Sequence, residues 1–159
     1  MSEGVEWALH TCANLAWTEP GEAVPAARLA AAFGLPPAYL NKQLQALTRA
    51  GILTSTSGPR GGFRLARSPD AITVLDVVVA IEGAEDAFRC TAILADSPWG
   101  SREVDYRATC AVSQAMRRAE LAWRRELAAQ TIADITATVE RRSPGARERV
   151  AGWLTEART

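Results

Sequence analysis

VPAARLAAAFGLPPAYLNKQLQALTRAGILTSTSGPRGGFRLAR, from Val24 to Arg67, is the stretch that decides the fold. The block from Ala23 to Ser68 around it holds Arg28, Lys42, Arg49, Arg60, Arg64 and Arg67 and no Asp or Glu. The whole chain of 159 residues balances 18 basic against 18 acidic side chains, so the compensating acid lies entirely outside this block. An acid-free block in a neutral chain suits a surface that meets a phosphate backbone; the bland alternative is a solvated helix face.

The pattern inside the block is two helices, a tight turn and a hairpin. Val24, Ala27, Leu29, Ala30 and Phe33 recur at helical spacing, and Gly34 supplies the helix exit. Pro36-Pro37 then starts a second helix, because proline is tolerated in a first helical turn. Its expected apolar stripe is Leu40, Leu44, Leu47 and Gly51. Ala38, Lys42, Gln45 and Arg49 share the opposite face, with Asn41 on its flank. Ile52 to Ser55 and Phe63 to Ala66 read as short strands, joined by the turn chemistry of Ser57-Gly58-Pro59-Arg60-Gly61-Gly62.

A helix-turn-helix followed directly by a hairpin is a winged helix. Asn41, Lys42 and Gln45, with Ala38 on the same side, are then the expected major-groove contacts. Tyr39 is expected to pack or to touch a phosphate. Arg60, next to Gly61 at the wing tip, suits a minor groove, where the potential is most negative. Arg49, farther along the helix, reads as solvated surface.

Hydrophobic residues make up 48% of the chain, enough for a real core in one domain plus an extension. No apolar run reaches spanning length and no secretory leader pattern opens the chain, so a cytoplasmic protein without a membrane segment is expected. Cys12, Cys90 and Cys110 are too few and too scattered for a disulfide scaffold, and read as ligands, sensors or core. The first helix, Gly4 to Ala16, puts Val5, Ala8, Leu9, Cys12 and Ala16 on one face, which makes Cys12 a small buried hydrophobe. Glu6 and His10 stand four apart on a second face, a spacing that fits either a weak ion pair or half of a metal site.

Ile72 to Gly83 reads as a buried helix with Thr73 and Asp76 as a capping box. From Ala84 to Thr109 periodicity is lost, and a loop of that length is usually functional. Ala111 to Ala129 gives a long helix with Met116, Ala119, Trp123 and Leu127 available for packing, suited to a dimer strut. Thr131 to Asp134 caps a further helix through Arg141, and Ser143-Pro144 opens a last one ending near Trp153 and Leu154. The fold class is therefore mainly α: a winged helix-turn-helix with a two-stranded wing and a long dimerisation helix. The expected domains are a winged helix over 1–83, a loop over 84–110, and a dimerisation helix with C-terminal helices over 111–159. Neither a phosphate loop nor a nucleophile elbow is present, and the single histidine has no evident catalytic partners, so an enzyme is not expected.

The segments GVEWALH, PPAYLNKQLQALTRAGIL, GPRGGFRLAR, ITVLDVVVAIEG and TIADI together resemble the Rrf-two family of bacterial winged-helix regulators, the family of IscR and NsrR. The resemblance implies a homodimer on double-stranded DNA, a crossing dimer helix and an iron–sulfur cluster that tunes binding. Usual members carry three clustered loop cysteines; here there are two, Cys90 and Cys110. That pattern is similar to the RsrR branch, which implies a 2Fe–2S cluster held by Cys90 and Cys110 of one subunit and by Glu6 and His10 of the other. The cluster would sense redox state or nitric oxide. The alternatives are a winged-helix regulator with a Cys90–Cys110 thiol/disulfide switch, or one with a structural zinc on the same four residues.

Overall fold

In the computed structural model, which describes residues 1–156, eight α-helices and one two-stranded sheet form two compact units. One unit is Met1–Gly83 together with the chain from Ala128 onward. The other is Ala84–Leu127.

In the first unit, α1 (Glu3–Leu15) buries Val5, Ala8, Thr11, Cys12 and Leu15 and leaves Glu6 and His10 in solvent. Its start is pinned by Ser2, whose backbone N–H (2.8 Å) and hydroxyl (2.6 Å) both donate to the Glu82 carboxylate. Those two bonds hold the Glu82 carboxyl below its ordinary pKa. The next helix, α2 (Ala26–Ala32), is shorter than its apolar spacing suggests. Val24 is not helical: it exchanges two 2.8 Å backbone hydrogen bonds with Phe63 and extends the wing, while Ala27 is exposed.

The third helix, α3 (Pro37–Arg49), begins at Pro37 in its first turn and buries Leu40, Gln43, Leu44 and Leu47. Gly51 lies outside it, not on the apolar stripe: it is exposed with φ +68°, the residue that reverses the chain. Ile52 N–H donates to the Leu47 carbonyl at 2.9 Å and Gly51 N–H to Thr48 at 3.0 Å, a Schellman exit that drops Ile52 back onto the core. The wing follows at once. β1 (Leu53–Thr56) pairs antiparallel with β2 (Gly62–Leu65), Leu53 opposite Leu65 and Thr56 opposite Gly62. The strands sit one residue away from the expected ones because the Val24–Phe63 bridge and the tight turn set the register.

The helix α4 (Val74–Glu82) starts with the expected capping box, Thr73 and Asp76 donating to each other at 3.0 Å. A single bridge, Thr73 to Thr131, joins it to α7 (Ile132–Arg142), which has its own capping box from Thr131 and Asp134. The last helix, α8 (Ala146–Thr155), opens at Gly145, not at Ser143-Pro144. Glu140 captures the Gly145 and Arg147 amides at 2.6 and 3.0 Å and takes the capping role Ser143 was expected to play. Leu29, Leu40, Leu44, Leu47, Ile52, Ile72 and Ile132 are fully buried at the centre of this unit.

The second unit holds the segment expected to be a loop, with two short pieces of structure in it: a 3-10 turn at Ile93–Asp96 and α5 (Tyr106–Thr109). Asp105 caps α5 through the Arg107 and Ala108 amides at 3.0 and 3.3 Å. The 18-residue α6 (Ala111–Ala128) follows, with Ser113 buried and most of its surface exposed. Among the described residues no helix is long and apolar enough to cross a membrane.

The wing's closure on Val24 gives a stability test. A Cβ on Gly62 would lie 2.3 Å from the Val24 carbonyl oxygen, at φ +150°, whereas one on Gly58 (φ +103°) meets nothing within 4 Å. Gly58→Ala carries backbone strain alone, about 1 kcal/mol at the low end of such positions. Gly62→Ala adds the clash and is expected to destabilise by roughly 3 kcal/mol or more. Urea unfolding of the two variants side by side checks the order; equal midpoints would mean that the wing is not held to Val24 in solution.

Candidate nucleic-acid interface and metal ligands

Burial of Leu40, Leu44 and Leu47 sets the rotation of α3 and turns Ala38, Lys42, Gln45 and Arg49 outward. Tyr39 is 43% exposed beside them and Asn41 is half-buried on the flank. The first turn of α3 carries no acid, which keeps the helix's positive end open to a phosphate. The wing tip, Ser57 to Arg60, is fully exposed and closed by a 2.8 Å bond from Gly61 N–H to the Gly58 carbonyl. A Cβ on Gly61 would meet the Thr56 carbonyl at 2.3 Å, so the turn that presents Arg60 needs glycine there.

The six cations of the acid-free block do not act alike. Arg28 stacks 3.6 Å above the Trp153 ring and donates to the Trp153 carbonyl, so it ties α2 to α8. Arg64 reaches the Gly21 carbonyl at 3.4 Å, and Arg67 lies 3.6 Å from Asp76 and 3.2 Å from the Ala71 carbonyl. Lys42, Arg49 and Arg60 are left to solvent.

Gln43 was not singled out by the sequence, yet at 8% exposure it lies inside, with its amide oxygen unpaired. Its spacing from Leu40 and Leu47 was the available signal. It is wedged under α1, where a Cβ on Gly4 would stand 3.0 Å from its Nε2. Ser2, Gly4, Tyr39 and Lys42 line a groove of about 560 Å³ beside it.

Glu6 and His10 lie one turn apart on the exposed side of α1, the His10 ring 6.2 Å from that of Phe33. Trp7, between them in sequence, sits 5.5 Å from the same Phe33 ring with its indole N–H buried and unpaired. In the second unit, Cys90 and Cys110 line one apolar cavity of about 250 Å³ together with Phe88, Ile93, Leu94 and Val112. Tyr106 joins them through one carbonyl, which accepts the Cys110 amide at 3.0 Å and the Cys90 thiol at 4.0 Å. The sequence offered no signal for that role of Tyr106. Both thiols are half-buried and free; Cys12 is wholly buried, and burial pushes its thiol up to about 12. Among the described residues no three or more His, Cys, Asp or Glu side chains of one chain gather into a metal site.

A helix-turn-helix, a glycine-set wing and a cationic outer face define a winged-helix DNA-binding regulator. Comparison with known proteins specifies the family: residues 1–138 match the Rrf2 model, described as iron-dependent transcriptional regulator, and the chain belongs to that family. It is 37% identical over 67 residues to the HTH-type transcriptional regulator IscR of Aliivibrio salmonicida, a match covering 42% of this chain and 40% of that protein's length. Solved structures with the same fold include CymR, the global cysteine regulator of B. subtilis (TM-score 0.68, 22% identity, 87% of this chain and 96% of that one). Another is T. potens IscR (TM-score 0.67, 22% identity, 90% of each chain).

The division of labour among the cations predicts two distinct phenotypes. Lys42→Ala should weaken binding to every DNA sequence alike and flatten the slope of log K against log salt by about one unit. Arg28→Ala should leave that slope alone and lower the melting temperature, because its partner is Trp153. Anisotropy titrations across a salt series, paired with thermal melts, separate the two; a flattened slope in the Arg28 variant would return that residue to the DNA surface.

Proposed function

We propose that this regulator is a homodimer that binds double-stranded DNA through Ala38, Tyr39, Asn41, Lys42, Gln45, Arg60 and Gly61, and that it senses redox state or nitric oxide through a 2Fe–2S cluster, as in the RsrR branch. The observation that carries the reading is the pair of free thiols, Cys90 and Cys110, on one small cavity and sharing the Tyr106 carbonyl. The donor set suits the group. Thiolates are the usual ligands of such clusters, and Glu6 and His10 present a carboxylate and an imidazole from one helical turn. The four donors divide into two on α1 and two in the second unit, a division in keeping with the cross-subunit ligand set of that branch.

The long α6 supports the dimer. Val112, Met116 and Trp123 are exposed along one face of it, an apolar stripe suited to a partner helix. A bound cluster would supply one-electron chemistry, at a potential raised by the imidazole ligand. This chain's own residues would do the rest. Glu6 and His10 sit on the helix whose N-terminal turn rests on Gln43, so displacement of α1 presses directly on the recognition helix α3. The spacing of two recognition helices sets which half-sites fit. The family's description as transcriptional regulators is in keeping with no enzymatic role, and a cytoplasmic location goes with DNA as the partner.

A second reading rests on the same adjacency: Cys90 and Cys110 as a reversible thiol/disulfide pair, or with Glu6 and His10 as a zinc site. Anaerobic purification separates them. Iron and sulfide in equal amounts, with a visible band bleached by dithionite, are expected, and Cys90→Ala should abolish both. A wild-type protein that stays colourless and iron-free after reconstitution would leave the winged-helix regulator without its cluster. An iron content unchanged in Cys90→Ala would overturn the ligand assignment.

A further inference from the structure

Cys90 also lines a larger cavity, about 890 Å³, in the second unit. Five charged residues line that cavity: Glu85, Asp86, Arg89, Arg107 and Arg117. Glu85 pairs with Arg89, and Asp86, 3.7 Å from Arg124, shares that guanidinium with Glu120 at 2.8 Å. Arg107 and Arg117 have no carboxylate partner among the described residues. Arg117 is held in place all the same: its guanidinium donates to the Arg107 carbonyl and reaches the Ser113 hydroxyl at 3.4 Å. Ser113, 1% exposed, anchors that arrangement by donating to the same carbonyl at 3.0 Å. Cys110 immediately precedes α6, whose first turn contains no acid, so the helix end adds positive potential on the same side.

We propose that Arg117, with Arg107, is a positioning residue for the loop-cysteine centre: the pair adds positive charge to the cavity wall beside Cys90 and favours the more negative charge state of what the thiols carry. The redox consequence rests on the cluster reading given above. An added electron makes such a centre more negative, so fixed cations beside it stabilise the reduced form and raise its potential. Both guanidiniums are partly in water, so the field weakens as salt rises.

The test has two arms, one of which needs no cluster. In metal-free full-length protein carrying Cys110→Ser, with Cys12 buried, Cys90 is the reactive thiol. Its reaction rates with a dianionic aromatic disulfide and with an uncharged disulfide of similar size are compared. In each reaction the Cys90 sulfur bonds to one reagent sulfur, the reagent's S–S bond breaks, and the other half leaves as thiolate. A several-fold preference for the anionic reagent is expected, lost in Arg117→Gln, kept in Arg117→Lys and reduced by salt.

The second arm is a redox titration of cluster-loaded protein followed in the visible band. The midpoint should fall in Arg117→Gln and return in Arg117→Lys. Should Arg117→Gln fail to fold in a thermal melt, Arg107→Gln carries both arms. An anionic preference that survives Arg117→Gln, or a midpoint that stays put in it, overturns the inference while the cluster stands. A lost preference in a protein that never takes up iron keeps the field and overturns the cluster instead.

Discussion

Burial of three leucines on one side of α3 is the constraint on which the rest depends. Leu40, Leu44 and Leu47 are 0% exposed, and each is worth about 1.5–3 kcal/mol against leaving it in water. A helix rotated by a quarter turn would expose two of them. That free energy fixes which side of α3 looks outward, so Ala38, Lys42, Gln45 and Arg49 are presented without any contact of their own to hold them there. The chemistry of the outward face is thus independent of the packing that orients it: its amides and cations can vary without cost to the core. The Schellman exit at Gly51 extends the same constraint to the wing. By returning Ile52 to Leu47, it starts β1 at a fixed angle from α3, and the bridge from Val24 to Phe63 closes the hairpin against α2.

Most of this fold could be read from spacing, and the misses have a common physical source. The capping boxes at Thr73 and Thr131 and the long α6 are local features, set by residues three or four apart, and they stand where the pattern puts them. Val24 followed the helical period and is nevertheless a bridge residue, because a partner 39 positions away, Phe63, claims its backbone. Gly51 followed the apolar stripe and is nevertheless the turn that ends it. At α8, Glu140 outbid Ser143 for the start of the helix by offering a carboxylate to two amides at once. Each case is a backbone hydrogen-bonding demand overriding a side-chain period: a bridge partner far along the chain, a local exit back to Thr48 and Leu47, and a carboxylate that takes two amides.

The charge of the DNA-facing block shows the same limit. Six cations and no acid were visible in the sequence, but not their partners. Arg28 turns to an aromatic ring far along the chain, and Arg64 and Arg67 to carbonyls nearby. Three of the six, Lys42, Arg49 and Arg60, are left to solvent. A count of charges overstates an electrostatic footprint whenever long side chains find carbonyls or rings on their own surface. Gln43 is the converse: a polar residue on the apolar side of α3, legible in spacing alone and unnoticed because its neighbours Lys42 and Gln45 carry the outward pattern.

The three cysteines divide by environment rather than by sequence context. Cys12 sits at 0% exposure among leucines and valines, its thiol held neutral far above physiological pH by desolvation, which disqualifies it as a ready ligand. Cys90 and Cys110 are half-buried on a shared apolar cavity, partly open to solvent and free of any disulfide. The Cys90 thiol donates to the Tyr106 carbonyl at 4.0 Å. The same carbonyl accepts the Cys110 amide at 3.0 Å. Tyr106 therefore ties the side chain of one cysteine and the backbone of the other to a single oxygen, and the Asp105 cap on the four-residue α5 fixes where that oxygen stands.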